Sequence, residues 1–393
     1  MGGLHSNMNY MRLNFTALLL VIASAISISP LILATGIVKG NIVSLMCLIL
    51  IYFIKQCRIS KKSVVIVSVL LALSVISVVY WGQITLKVSI YFYSILFLIF
   101  LLKKNDIYDF TDYMSKLLIF LLIGAVIGFL WALGGGDAIF SINNEDTRTN
   151  GFYLTTFSNT FVNGLIRPSG IFDEPGALSF IICMIVALRE SLGMNRKVSW
   201  VLLILGFMTM STAHAIFFVL YWIKIKWVSF KNAIISVMTV SIVLLLLTSF
   251  ENPFATLVTY ILNRFAIVDG GFVGDNRSAL IINALNFLDL KTFLFGLDSD
   301  CILNLPSCAS KGYLQYLGNP FTPLVHYGVF ISLPYYLIIG YLMMKSIKNK
   351  NLIVFGVFLL LLQRPYVMSY GYAVLIMIYV YSLRFKKNYK EFI

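Results

Sequence analysis

Charge is scarce in this chain: only 12% of its 393 residues are Asp, Glu, Lys or Arg, about half the share of an ordinary soluble domain. That excludes a surface built to face water on all sides. Histidine and cysteine are scarce too, at 3 and 5 residues, and they form no cluster with metal-ligand spacing, so neither a metal nor a cofactor is expected. Also lacking are an internal repeat and any polar segment large enough to bury a core of its own.

What the chain has instead is apolar length. Hydrophobic residues make up 60% of it, in runs at 13–33, 37–56, 63–82, 84–102, 113–133, 170–188, 198–211, 213–227, 231–250, 323–344, 351–363 and 367–383. A hydrocarbon core about 30 Å thick needs roughly 20 helical residues. The expectation is therefore an all-α polytopic membrane protein of about 12 transmembrane helices, forming a single integral membrane domain over 1–393. Runs so long and rich in Leu, Ile and Phe do not suit barrel strands. The runs at 198–211, 213–227 and 351–363 are shorter and predict short, tilted or partly re-entrant helices. The first run reads as an anchor rather than a cleaved signal peptide.

Lys and Arg orient such a bundle. Assigned to alternate loops, 21 of the 30 basic residues fall on one side, and 9 fall on the other with 11 of the 16 acids. The richer side is expected to be cytoplasmic, with both termini there. The formal charge of +14 is then a topology signal, and no nucleic-acid partner is implied. Two extracytoplasmic loops, at about 134–169 and 251–322, exceed what connection requires. Function is expected there.

The first long loop ends in "RPSGIFDEPG", which sets Arg167, Asp173 and Glu174 beside the start of the next apolar run. Pro175 suits a first helical turn, and acids there complement the helix dipole. Capping alone needs neither two consecutive acids nor the upstream arginine, so a functional role is favoured. In the second loop, Leu280, Ile281, Ala284, Leu285 and Leu288 predict an amphipathic helix. Asp275 is placed to cap its start, and Arg277 to sit in a first turn that already favours anions. Arg264 precedes it in "NRF". His326 lies about one turn into the helix that follows "GNPFTP". His214, in "STAHA", reads as a hydrogen-bonded packing residue.

Together, "RPSGIFDEPG", "NRF" with "GDNRSAL" and "FLFG", and the histidine of "HYGVF" resemble the O-antigen polymerase family, which is related to the O-antigen ligases. The likeness covers most of the chain in helix number, loop sizes and motif order. Its specific part is the Arg-x-x-Gly-x-Phe-x-Glu-Pro pattern. The resemblance implies a GT-C-like fold in the bacterial inner membrane and glycosyl transfer at its periplasmic face. It implies undecaprenyl-pyrophosphate-linked oligosaccharides as donor and acceptor, and a chain-length regulator as a further partner. By the same likeness Arg167, Arg277 and His326 match the family's functional basic residues, and Glu174 its acid. Arg264, Asp173 and Asp275 are candidate substrate-binding residues.

The chemistry suits these residue types. A departing pyrophosphate gathers negative charge that arginines can stabilise. The attacking hydroxyl needs a proton acceptor, for which Glu174 and His326 are both eligible. With no evident covalent nucleophile, a single inverting displacement is expected. The "DSD" at 298–300 carries little weight as a diphosphate-metal motif. Cys301 and Cys308 share the second loop, where an oxidising compartment permits a disulfide. Phe152, Tyr153, Phe157 and Phe161 read as an interfacial aromatic belt rather than a sugar platform. A ligase acting on lipid A core is the nearest alternative. A flippase or transporter is the weakest, because charges cluster at one face and no repeat is evident.

Overall fold

The structure, a computed structural model, describes residues 14–26, 29, 40–55, 65, 68, 69, 72, 75, 79, 102–143, 149–159, 161, 162, 165–226, 266–268, 271, 272, 278–297, 318–365 and 370–385. Among them, eleven α-helices dominate. They are α1 (Phe15–Ala25), α2 (Gly40–Lys55), α3 (Lys104–Leu133), α4 (Pro175–Ser191), α5 (Arg196–Leu205), α6 (Thr212–Lys226), α7 (Ser278–Asn286), α8 (Leu290–Phe295), α9 (Thr322–Asn349), α10 (Leu352–Gln363) and α11 (Tyr370–Ser382). α3 and α9 are long and apolar enough to cross a membrane; α1, α2, α6, α10 and α11 are shorter apolar helices. The runs expected at 84–102 and 231–250 fall almost wholly outside the described residues, as does most of 63–82.

Local sequence explains the helix boundaries. Asn14, Asn195 and Asn351 accept hydrogen bonds from backbone N–H groups of the first turns of α1, α5 and α10, which satisfies donors that have no partner inside the helix. α3 begins well before the apolar run at 113. Its first turns carry Asp106 and Asp109, and Asp106 is buried yet held by Lys55 Nζ at 2.7 Å, Asn14 Nδ2 at 3.2 Å and its own neighbour Lys103 N at 2.9 Å. A buried carboxylate is tolerable only with such partners.

These contacts set α1 antiparallel to α2 and parallel to α3. Asn14, Lys55 and Asp106 meet at one end of the bundle. Ser191 and Ser382, whose hydroxyls are 2.7 Å apart, lie at the ends of α4 and α11. Arg189, only 2% exposed, bonds Ser115 of α3, Ser199 of α5 and the Asn195 carbonyl at 3.0, 3.3 and 2.8 Å. This is the lysine-bearing end. α4 is the central element, with every residue from Pro175 to Glu190 buried except Gly176. Outward-facing rows remain apolar: Phe120, Ile123, Ile127 and Leu130 on α3, and Leu337, Met343, Met344 and Ile347 on α9, are all exposed.

The expectation of an all-α chain needs an amendment. The segment after α3 contains an antiparallel three-stranded sheet, β1 (Phe140–Asn143), β2 (Thr149–Tyr153) and β3 (Thr156–Ser158), and a two-stranded pair, β4 (Phe161–Val162) and β5 (Leu165–Ile166). A second such pair, β6 (Ile267–Val268) and β7 (Gly271–Phe272), lies in the other long loop. The β2–β3 hairpin sits on α3 where Gly124 and Gly128 leave a notch. A β-carbon on Gly128 would lie 2.5 Å from both Tyr153 O and Thr156 Cγ2, and Thr155 Oγ1 donates to Gly124 O at 2.6 Å. Phe140, Phe152 and Phe157 form a cross-strand ladder. The first two rings stack 4.9 Å apart, and Phe152 lies 4.9 Å from Phe157.

Candidate functional site

The stretch from Arg167 to Gly176 turns the chain from β5 into α4, and each residue type has a visible task. Gly170 adopts a φ of +64°, which favours glycine. Ser169 and Gly170 exchange backbone bonds with Phe157, and the Ser169 hydroxyl lies 2.9 Å from Phe157 O and 2.8 Å from Phe172 O. Phe172 is fully buried. The turn is therefore pinned to the sheet on one side and to the core on the other.

Arg167 points toward the break between α5 and α6. A 3-10 turn, Gly206–Thr209, continues α5 and ends at Met210, which has a φ of 50°. Arg167 Nε and Nη2 donate to Thr209 O at 3.2 and 3.0 Å, and Nη2 also reaches Met210 O at 3.3 Å. Carbonyls at the end of a helical segment carry partial negative charge. The Nε–Nη2 edge of the guanidinium is thus engaged in holding this break, a structural duty that the sequence does not reveal.

Glu174 occupies the N-cap position of α4, but its side chain does not cap the helix. Its carboxylate is ion-paired with Arg364, the residue that ends α10, and both side chains are largely buried, at 22% and 20% exposure. The guanidinium occupies the space left by Gly176, where a β-carbon would lie 2.4 Å from Arg364 Nη2. A cation over the start of a helix opposes the helix dipole. Glu174 offsets that charge. Asp173 turns elsewhere in its backbone bonding, with its carbonyl accepting from Asn159 Nδ2 at 2.7 Å.

His326 belongs to a second cluster. α9 is broken at Gly328, with φ 70° and ψ 175°, and the short helical segment before the break carries the histidine. Gly296, which ends α8, packs its backbone on this segment. A β-carbon there would lie 2.4 Å from His326 O, and one on Gly328 would lie 2.3 Å from Leu294 O. Leu297 N donates to Val325 O at 2.8 Å, while Asn319 Nδ2 reaches Leu280 O of α7 at 3.1 Å. Thus "FLFG" and "HYG" meet backbone to backbone. Tyr335 OH of α9 donates to Leu361 O of α10 at 3.0 Å, so this cluster is joined through α10 to Arg364 and Glu174.

Arg167, Asp173, Glu174 and His326 therefore all lie at the end opposite the lysines. Described contacts unite Glu174 with Arg364, but none links His326 directly to Arg167 or Glu174. Arg264, Asp275 and Arg277 lie outside the described residues, as do the "DSD" stretch, Cys301 and Cys308. His214 is fully buried, with Nε2 2.8 Å from Leu203 O and Nδ1 3.6 Å from Cys183 Sγ, a hydrogen-bonded packing residue as read from sequence. Arg364 was not singled out by sequence reasoning. Its signal was available in "QRPY", an arginine and proline closing an apolar helix, and in the glycine of "EPG". Comparison of the chain with protein-family models, with curated proteins and with solved structures finds no match.

Proposed function

We propose that the chain is a multi-pass membrane glycosyltransferase that polymerises undecaprenyl-pyrophosphate-linked O-antigen repeat units at the periplasmic face of the bacterial inner membrane. Two apolar helices of spanning length and the exposed apolar rows on α3 and α9 support a membrane setting, since contiguous apolar surface of that kind is rare on soluble monomers. The basic residues of the lysine-bearing end support its assignment to the cytoplasm.

The observation that carries the reading is the Glu174–Arg364 pair. It brings the acid of the most specific motif together with an arginine at the lysine-poor end. A donor diphosphate offers Arg364 a more highly charged and bidentate partner than one carboxylate. On binding, Arg364 turns to the phosphates and stabilises charge that grows on the leaving pyrophosphate as the glycosidic bond breaks. Glu174, released, accepts the proton of the attacking hydroxyl. The acceptor oxygen gains the sugar, and the donor's lipid diphosphate leaves as the free anion. Arg277 and His326 add further positive or hydrogen-bonding contacts to the donor in this scheme.

The test is a gel of lipopolysaccharide from a strain lacking the protein, complemented with the intact chain or with Arg364→Ala. The expected result is core capped by a single repeat unit, restored to a ladder by the intact chain and not by the variant. Uncapped core, with polymer still built on the carrier lipid, would make the protein a ligase. An unaltered ladder would overturn both glycosyltransferase readings.

A further inference from the structure

At the lysine-bearing end, the closing turns of α4, α9 and α11 and the opening of α10 surround a cavity of about 320 Å3, within the range of small-ligand sites. Lys345 and Arg384 line it from two different helices. Among the described residues neither meets a carboxylate. Instead Lys345 Nζ lies 5.8 Å from the centre of the Tyr341 ring, and the Arg384 guanidinium 5.7 Å from that of Tyr381. The acid that lines the cavity, Glu190, is bonded by Arg196 through two contacts of 3.3 Å. The cavity thus presents two cations and the amide of Asn349.

Ser191, Asn351 and Ser382 add polar groups, and the apolar part of the wall is built by Ile353, Leu383 and Phe385. On α9, Met344 next to Lys345 is 67% exposed. A soluble anion has no use for these apolar side chains. An amphiphile does, because its phosphate can enter the cationic cavity while its acyl chains lie against Ile353, Leu383 and Phe385.

We propose that this cavity binds the phosphate of an anionic glycerophospholipid, with Lys345 and Arg384 as the ligating cations. The proposal uses the membrane setting above and is independent of the glycosyl-transfer chemistry. Each basic residue near a lipid phosphate contributes about fivefold in affinity, roughly thirtyfold for two.

The experiment is native mass spectrometry of the full chain in neutral detergent, titrated with phosphatidylglycerol, phosphatidylcholine or inorganic phosphate. Phosphatidylglycerol is expected to bind at one saturable site in preference to phosphatidylcholine. Lys345→Gln and Arg384→Gln should each weaken it about fivefold, with Lys224→Gln as a control that leaves it unchanged. The two variants alter half-exposed and exposed side chains, and an unchanged thermal midpoint will confirm that each is folded. Equal retention of the two lipids, insensitivity to both substitutions, or binding of inorganic phosphate with no preference for the anionic lipid would each overturn the proposal.

Discussion

Gly176 and Arg364 are complementary in shape: a β-carbon on the glycine would lie 2.4 Å from Arg364 Nη2 and 2.8 Å from its Cζ. What it meets is the end of a long side chain, which can swing away. Gly176→Ala should therefore fold, its higher helix propensity of up to about 1 kcal/mol offsetting part of what the displaced ion pair loses. The displaced guanidinium should nonetheless lower ladder formation by at least about tenfold, a partial version of the two to three decades expected for removing a charge-stabilising donor. Normal activity with a displaced Arg364 would remove that arginine from the mechanism.

Removing one member of the Glu174–Arg364 pair takes an ion-pair partner from the other in a largely buried position. Glu174→Gln and Arg364→Gln should each destabilise the chain by about 1–3 kcal/mol, and the double variant should lose less than the two single losses combined. Thermal unfolding of the four proteins in detergent gives the coupling. Strict additivity would mean that the two side chains do not interact in solution.

Gly128 tests the seat of the β2–β3 hairpin. Here the obstacle to a β-carbon includes the backbone oxygen of Tyr153, which cannot swing away. Gly128→Ala should cost about 1–3 kcal/mol, the usual range for overpacking, and should speed proteolysis within 149–158. Gly134→Ala, whose β-carbon would find nothing nearer than 3.5 Å, is the control.

At Gly328 two penalties combine, a φ of +70° and a close approach to Leu294 O. Gly328→Ala should lower stability by about 2 kcal/mol or more and separate the "HYG" segment from "FLFG". Hydrogen exchange should then rise in both segments together. A rise in only one would show that their contact is not what holds them.

The long apolar helices were legible because their period and length are strong signals in a chain with so little charge. α3 was read as starting near 113 because Asp106, Asp109 and Asp112 interrupt the apolar run; that Lys55 and Asn14 would make Asp106 tolerable depended on helices far away in sequence. The strands were not legible. Elements of two to five residues, set among glycines and threonines, offer too little alternation to register. Within the candidate site, the position of Glu174 at the start of α4 could be read from Pro175. Its partner could not, since nothing local ties residue 174 to residue 364. Arg167 stands out in the sequence, but its bonds to Thr209 and Met210 arise only once α5 and α6 form their turn.

Glycines four residues apart on an apolar helix are a common means by which two helices touch inside a bilayer. On α3 that groove is already filled, by Thr155 and Thr156 of the chain's own hairpin. A second copy approaching along this flank would find a closed surface, so self-association through α3 must run along the Phe120 and Ile127 row instead. The same seating makes the β2–β3 hairpin a fixed wall rather than a swinging cover.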